Sequence, residues 1–124
     1  MSKELKRLIL EMGTGNDLYG MDYTKAAARA IEDAIRHSSL PIFGALNLGH
    51  ETMRVAVTVA VQEPDQVDCA TLTAKLPRGR VSVTATAGGL NVTNPDTGEI
   101  TVIATAAVEA FLPPQTGWRL RDPA

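Results

Sequence analysis

Three runs of alternating side chains constrain this chain more than any other feature of its sequence. Met53, Val55, Val57, Val59 and Val61 alternate with Arg54, Ala56, Thr58 and Ala60. Val81, Val83, Ala85 and Ala87 repeat the pattern, and Ile100, Val102, Ala104, Ala106 and Val108 repeat it again. A period of two puts every second side chain on one face of a β-strand, so each run presents a large apolar face. The chain is thereby committed to a sheet covered on that side.

The cover comes from the segments between the runs. Leu8, Ile9, Leu10 and Met12 form a short apolar strand that runs into a glycine-rich turn from Gly13 to Gly20. Asp22 offers a helix N-cap, and Ala26, Ala27, Ala30, Ile31, Ala34 and Ile35 recur at helical spacing. Pro41 pushes Leu40 away from helical geometry, so this helix should stop near Ser38 or Ser39. Pro64 and Asp65 open a second, short helix through Val67, Thr71 and Ala74, which ends before Pro77. Asn94-Pro95-Asp96-Thr97-Gly98 has the composition of a hairpin turn between the last two alternating runs. The expected fold is therefore α+β: strand, helix, strand, helix and hairpin, forming a mixed four-stranded sheet with two helices on one face. Residues 1–124 read as one domain, with an irregular tail from about residue 113.

The other face of that sheet would carry Ala56, Thr58, Ala60, Ser82, Thr84, Thr86, Thr101, Thr105 and Ala107, with Ile103 and Phe111 as larger members. These side chains are too small and apolar for an ordinary solvated surface and lack the bulk to seat a second helix layer. Packing against other subunits is the expectation, which makes the chain a homo-oligomer.

Charge narrows the partners. Twelve basic and 14 acidic residues are interspersed, for a net charge of -2, so neither nucleic acid nor a membrane surface is expected as a partner. No run approaches the roughly 18 apolar residues of a membrane span, and Met1 to Leu10 is not a signal peptide. With a single cysteine, Cys69, the expected compartment is the reducing cytoplasm. His37 and His50 lack partners at metal-ligand spacing, and neither a metal nor a cofactor is expected.

The chemistry available is concentrated in the first turn. A glycine-rich connection before a helix gathers backbone N–H groups at one point, and Lys25 and Arg29 add positive charge. The spacing of Gly13, Gly15 and Gly20 matches neither the dinucleotide fingerprint nor the P-loop. Asp17, held among these glycines, either bonds its own backbone or offers a carboxylate to a ligand's N–H group. Ser38 is a candidate hydroxyl nucleophile at the end of the helix. Gly88 and Gly89 mark a bulge or a close backbone approach, which a ligand can exploit. The candidate set is Asp17, Lys25 and Ser38 for chemistry, with Gly13, Gly15, Gly20, Arg29, Gly88 and Gly89 for binding a small molecule.

The stretch Gly13-Thr14-Gly15-Asn16-Asp17-Leu18-Tyr19-Gly20 resembles the mark of the uncharacterised Lin family of bacterial and plant proteins, Gly-x-Gly-x-Asp-x-His-Gly. The likeness continues through Thr24 to Ala30, Ser38 to Pro41, Val67-Asp68, Leu76-Pro77 with Gly79, and Gly88-Gly89-Leu90. Tyr19 stands where the family has histidine. The element order is also similar to the chorismate-mutase-like fold of the YjgF/RidA proteins, whose trimers hold ligands between subunits. Cyanuric acid hydrolase and barbiturase look like relatives built from three such units. These resemblances imply a trimer and a small-molecule site at a subunit interface, in a hydrolase of small polar or cyclic nitrogenous compounds. The alternative is a non-catalytic binding or assembly module.

Overall fold

A computed structural model describes residues 5–36, 53–76 and 80–113. Among them the chain forms β1 (Lys6–Asp17), α1 (Tyr23–Arg36), β2 (Arg54–Val61), a 3-10 turn (Pro64–Gln66), α2 (Cys69–Lys75), β3 (Arg80–Ala87), β4 (Leu90–Thr93) and β5 (Ile100–Leu112). The fold is α+β, and the sheet has five strands rather than the four expected.

β5 is the spine of the sheet. One of its edges pairs antiparallel with the whole of β1, from Lys6↔Leu112 to Asp17↔Val102. Its other edge is shared: β2 takes the stretch from Thr105 to Phe111 and β4 the stretch from Ile100 to Ile103. β3 lies outside β2 and parallel to it, reached through the crossover that contains α2. Parallel neighbours need such a connection, whereas antiparallel ones can share a tight turn.

The fifth strand corrects the expected hairpin. Its turn is where the residues place it: the Asn94 N–H donates to Glu99 O, the Gly98 N–H donates to Asn94 O, and Gly98 has φ 78°. The strand entering it is β4, however, not the alternating run of β3. At Gly88 and Gly89 the chain leaves β3 and steps across the end of β2 to reach β5. The Gly88 N–H donates to Val61 O, and the Gln62 amide donates to the carbonyls of Gly88 (3.0 Å) and Gly89 (3.1 Å). A side chain at Gly88 would meet the Ala60 methyl at 2.7 Å, and Gly89 has φ 62°. The pair is a crossing point, which the periodicity of the flanking strands does not reveal.

The core lies on the face where Val55, Val57, Val59 and Val61 meet Val102, Ala104 and Ala106, as the alternation predicts. α1 packs over it with Tyr23, Ala26, Ala27, Ala30, Ile31 and Ala34 buried, and Leu72 of α2 joins the same cluster. Both helices thus cover one face. α1 begins as expected, with Asp22 Oδ1 accepting from the Lys25 N–H at 3.0 Å. α2 starts later than expected, because Pro64–Gln66 form a separate 3-10 turn and Asp68 caps the helix: the Thr71 N–H and hydroxyl both donate to its carboxylate. Its N–H in turn donates to Thr24 Oγ1 at 2.9 Å, tying α2 to the first turn of α1.

The glycine-rich turn is shorter than the sequence suggests. β1 continues through Gly13, Gly15 and Asp17, and only Leu18 to Met21 turn. Gly13 and Gly15 face α1, where an added Cβ would strike the backbone of Ala30 and Ala34 at the first and of Ala26, Arg29 and Ala30 at the second. Alanine on the helix and glycine on the strand bring the two backbones into direct contact.

Candidate functional site

β1 delivers Asp17 to the mouth of the turn that enters α1. Its side chain is buried, with the residue 3% exposed. Oδ2 accepts from the Asp22 N–H at 2.9 Å, bridging the turn, and Oδ1 stands 3.6 Å from Lys25 Nζ. That second distance is an ion pair rather than a hydrogen bond. Gly20 at φ 90° and Met21 at φ 53° fold the four intervening residues tightly enough for the bridge to close. Of the two roles open to Asp17, the geometry displays the backbone bond.

The basic residues are also engaged. Arg29 Nη1 donates to the Asn16 carbonyl at 2.7 Å, and the Thr14 N–H donates to Asp33 Oδ2 at 3.0 Å. β1 is an edge strand, so these two side chains of α1 cap backbone groups that would otherwise face an incoming strand. Asp17, Gly20, Lys25 and Arg29 therefore gather at one end of α1. Gly13 and Gly15 lie farther back beneath the helix, where the side that would carry a Cβ is filled by the backbone of α1. Gly88 and Gly89 are on the far side of β5, beside Ile103, whose other neighbour is Asn16. Ser38, with His37 and His50, lies outside the described residues.

Two polar side chains near this end carried no signal in the sequence. The Tyr23 ring is buried at the start of α1, and its hydroxyl accepts from Asn91 Nδ2 at 2.8 Å. Asn91 and Asp17 are both register partners of Val102, so the three form one row across the sheet beneath α1. Asn91 reads as an ordinary polar residue of a short strand until that row is assembled. Outside it, an open hollow of about 310 Å³ runs between Tyr19, Gly20 and Met21 and the Gly98-Glu99-Ile100 segment.

The uncovered face of the sheet is the other candidate. The registers order it into rows: Asn16, Ile103 and Leu90; then Thr14, Thr105, Ala60 and Thr86; then Met12, Ala107, Thr58 and Thr84. Two further rows hold Leu10, Glu109, Ala56 and Ser82, then Arg7, Phe111, Arg54 and Arg80. The middle is alanine, serine and threonine, as the sequence predicts. Large apolar side chains missing from that expectation stand along β1 and β4, where Met12 is 68% and Leu90 60% exposed. At the last row Arg7 pairs with Glu109 at 3.2 Å, and the Arg54 guanidinium lies 5.3 Å from the centre of the Phe111 ring.

A model of the conserved hypothetical family Lin0512 matches residues 7–110, which include the turn and most of this face. The chain belongs to the Lin0512 family. A crystal structure of an FtsZ-like protein of unknown function from Nostoc punctiforme is similar, at 36% identity and a TM-score of 0.79, over 91% of this chain and 100% of that one. No curated protein matches. In this Lin0512 member the glycine-aspartate motif is a packing device: Gly13 and Gly15 admit the helix, Asp17 staples the turn and Gly20 supplies a left-handed residue. Tyr19, at the position of the motif histidine, is 68% exposed on the outer side of the turn. No described helix is long and apolar enough to cross a membrane.

Proposed function

We propose that the chain is a self-assembling module that builds a closed homo-oligomer through the uncovered face of its sheet. The observation that carries this reading is the face itself: five strands present small and apolar side chains with no layer above them among the described residues. Sheet faces pack about 10 Å apart through interdigitating side chains, and a floor of alanine, serine and threonine suits such a close approach. The trimer implied by the chorismate-mutase-like resemblance belongs to this proposal as one possible closure.

Light scattering or sedimentation at micromolar concentration tests it. The expected mass is that of an oligomer, and Thr105→Arg, which puts a long cation at the centre of the face, should release folded monomers. A monomeric parent overturns the reading.

A small-molecule site is a second reading, favoured by the hollow beside Tyr19 and Glu99. Lys25 and Arg29 border a separate open hollow of about 380 Å³ with Asp22, Thr24 and Glu32. A thermal-shift screen with small polar and cyclic nitrogenous compounds tests this, because a ligand of the folded state raises the unfolding midpoint.

A further inference from the structure

The uncovered face has a charge polarity along its strands. At one end the row Arg7, Phe111, Arg54 and Arg80 spans the sheet. Arg7 is neutralised by Glu109, while Arg54 and Arg80 are exposed. At the other end the β4–β5 hairpin carries Asp96 and Glu99, both exposed. Thr105 stands midway between the Phe111 row and Glu99. There an open hollow of about 520 Å³ is bordered by Met12, Thr14, Thr58, Ala60, Thr105 and Ala107.

We propose that two copies stack face to face about a two-fold axis that crosses the strands at the Thr105 row, so that the arginine end of each copy meets the acidic hairpin of the other. The proposal rests on the self-assembly reading and adds an orientation to it. A two-fold interface brings the same patch from both partners together, so its charges must complement themselves. An axis running along the strands sets arginine row against arginine row. An axis across them reverses the strand direction and sets each arginine row against Asp96 and Glu99. The topology matches this reversal laterally, because β2 and β4 share one edge of β5. Reversal lays β2 of one copy over β4 of its partner, which carries Arg54 towards the partner's hairpin and leaves the smallest side chains around the axis. Thr14 and Thr105 of each copy then lie at the axis.

Two double variants test the orientation, Arg54→Glu with Arg80→Glu and Asp96→Lys with Glu99→Lys. The hairpin variant leaves the turn's described bonds in place, since Asp96 and Glu99 enter them only through main-chain atoms: the Asp96 N–H donates to Asn94 Oδ1, the Glu99 N–H donates to Thr97 Oγ1, and Glu99 O accepts from the Asn94 N–H. Sedimentation equilibrium should show a dimer for the parent and self-association weakened by roughly tenfold or more in each variant, as like charges are brought together. An equimolar mixture of the two variants should recover a heterodimer of near-parental affinity, and raising the salt should weaken the parent and that heterodimer alike. Unchanged thermal midpoints for the isolated variants at low concentration exclude misfolding as the cause. A dimeric parent unaffected by either reversal, or tightened by the arginine reversal, overturns the orientation and leaves self-assembly standing. A trimer overturns the two-fold axis. A monomeric parent overturns self-assembly and the orientation together.

Discussion

At Gly15 a missing side chain is the structural element. Gly20 takes the positive φ that a tight turn can require, but neither Gly13 nor Gly15 is among the described left-handed residues. Their contribution is clearance. Gly15→Val should therefore destabilise the fold by about 1–3 kcal/mol or more through overpacking against the backbone of α1. Gly15→Ala should already show part of that loss, whereas a strain that depended on φ would spare alanine at an extended position. Denaturant midpoints of the two variants measure it. Asp17 was identifiable as the residue that matters in the turn, because a carboxylate among glycines must find donors. That the donor is the N–H of Asp22 depended on the tightness of the turn. Asp17→Ala, which leaves that N–H unanswered beside a buried site, should cost about 1–3 kcal/mol. Asp17→Asn keeps an acceptor and should cost less; equal losses would locate the stabilisation in the charge facing Lys25 instead.

Individual elements hold their ends with side chains. The cap of α2 makes a pH prediction, since bonds from the Thr71 hydroxyl and N–H hold the Asp68 carboxyl below the usual aspartate range. A carboxyl whose folded pKa is depressed contributes stability at every pH above its unfolded value and loses it as the pH falls through the folded one. The contribution of Asp68 should therefore be complete at neutral pH and decline below the ordinary aspartate range. Asp68→Asn should flatten that portion of the acid limb in a plot of thermal midpoint against pH, and an unaltered limb would remove Asp68 from the account. At the other helix, the sequence offers Arg29 as a binding residue and gives Asp33 no role. Only the position of β1 beneath α1 turns them towards an edge strand, where they answer main-chain groups. The β3-to-β4 step has the same character: Gly88 and Gly89 signalled a close approach, but what they approach is the end of β2.

For the whole molecule, one core carries both helices and four of the strands, so a break anywhere in it is felt throughout. Leu72 is the one buried side chain of α2 and is 1% exposed in the same cluster as Val57, Val59 and Val102. Leu72→Ala should lower stability by about 2–5 kcal/mol, the range for a large-to-small change in a close-packed interior, seen in calorimetry as one cooperative transition at lower temperature rather than a separate melting of α2. The face opposite that core has no layer above it among the described residues, and the mass of the molecule in solution tests whether a second copy covers it.

Composition and period were enough to establish an α+β chain, the strands β2, β3 and β5, the helix α1 with its Asp22 cap, the Asn94–Gly98 turn and the small-residue face. These are local consequences: alternation, helical spacing and capping act over a few residues and leave a mark at each. The fifth strand, the parallel pairing of β2 with β3, the Tyr23–Asn91 contact and the function of Gly13 and Gly15 came only with the tertiary structure. Each depends on which distant segment arrives beside a given backbone, and a strand of four residues, a buried amide or an absent Cβ carries no periodic signal of what will lie against it. The glycines show the division most clearly, since the sequence marks the place where the backbone must be unencumbered, and the packing of α1 on β1 decides what occupies the space.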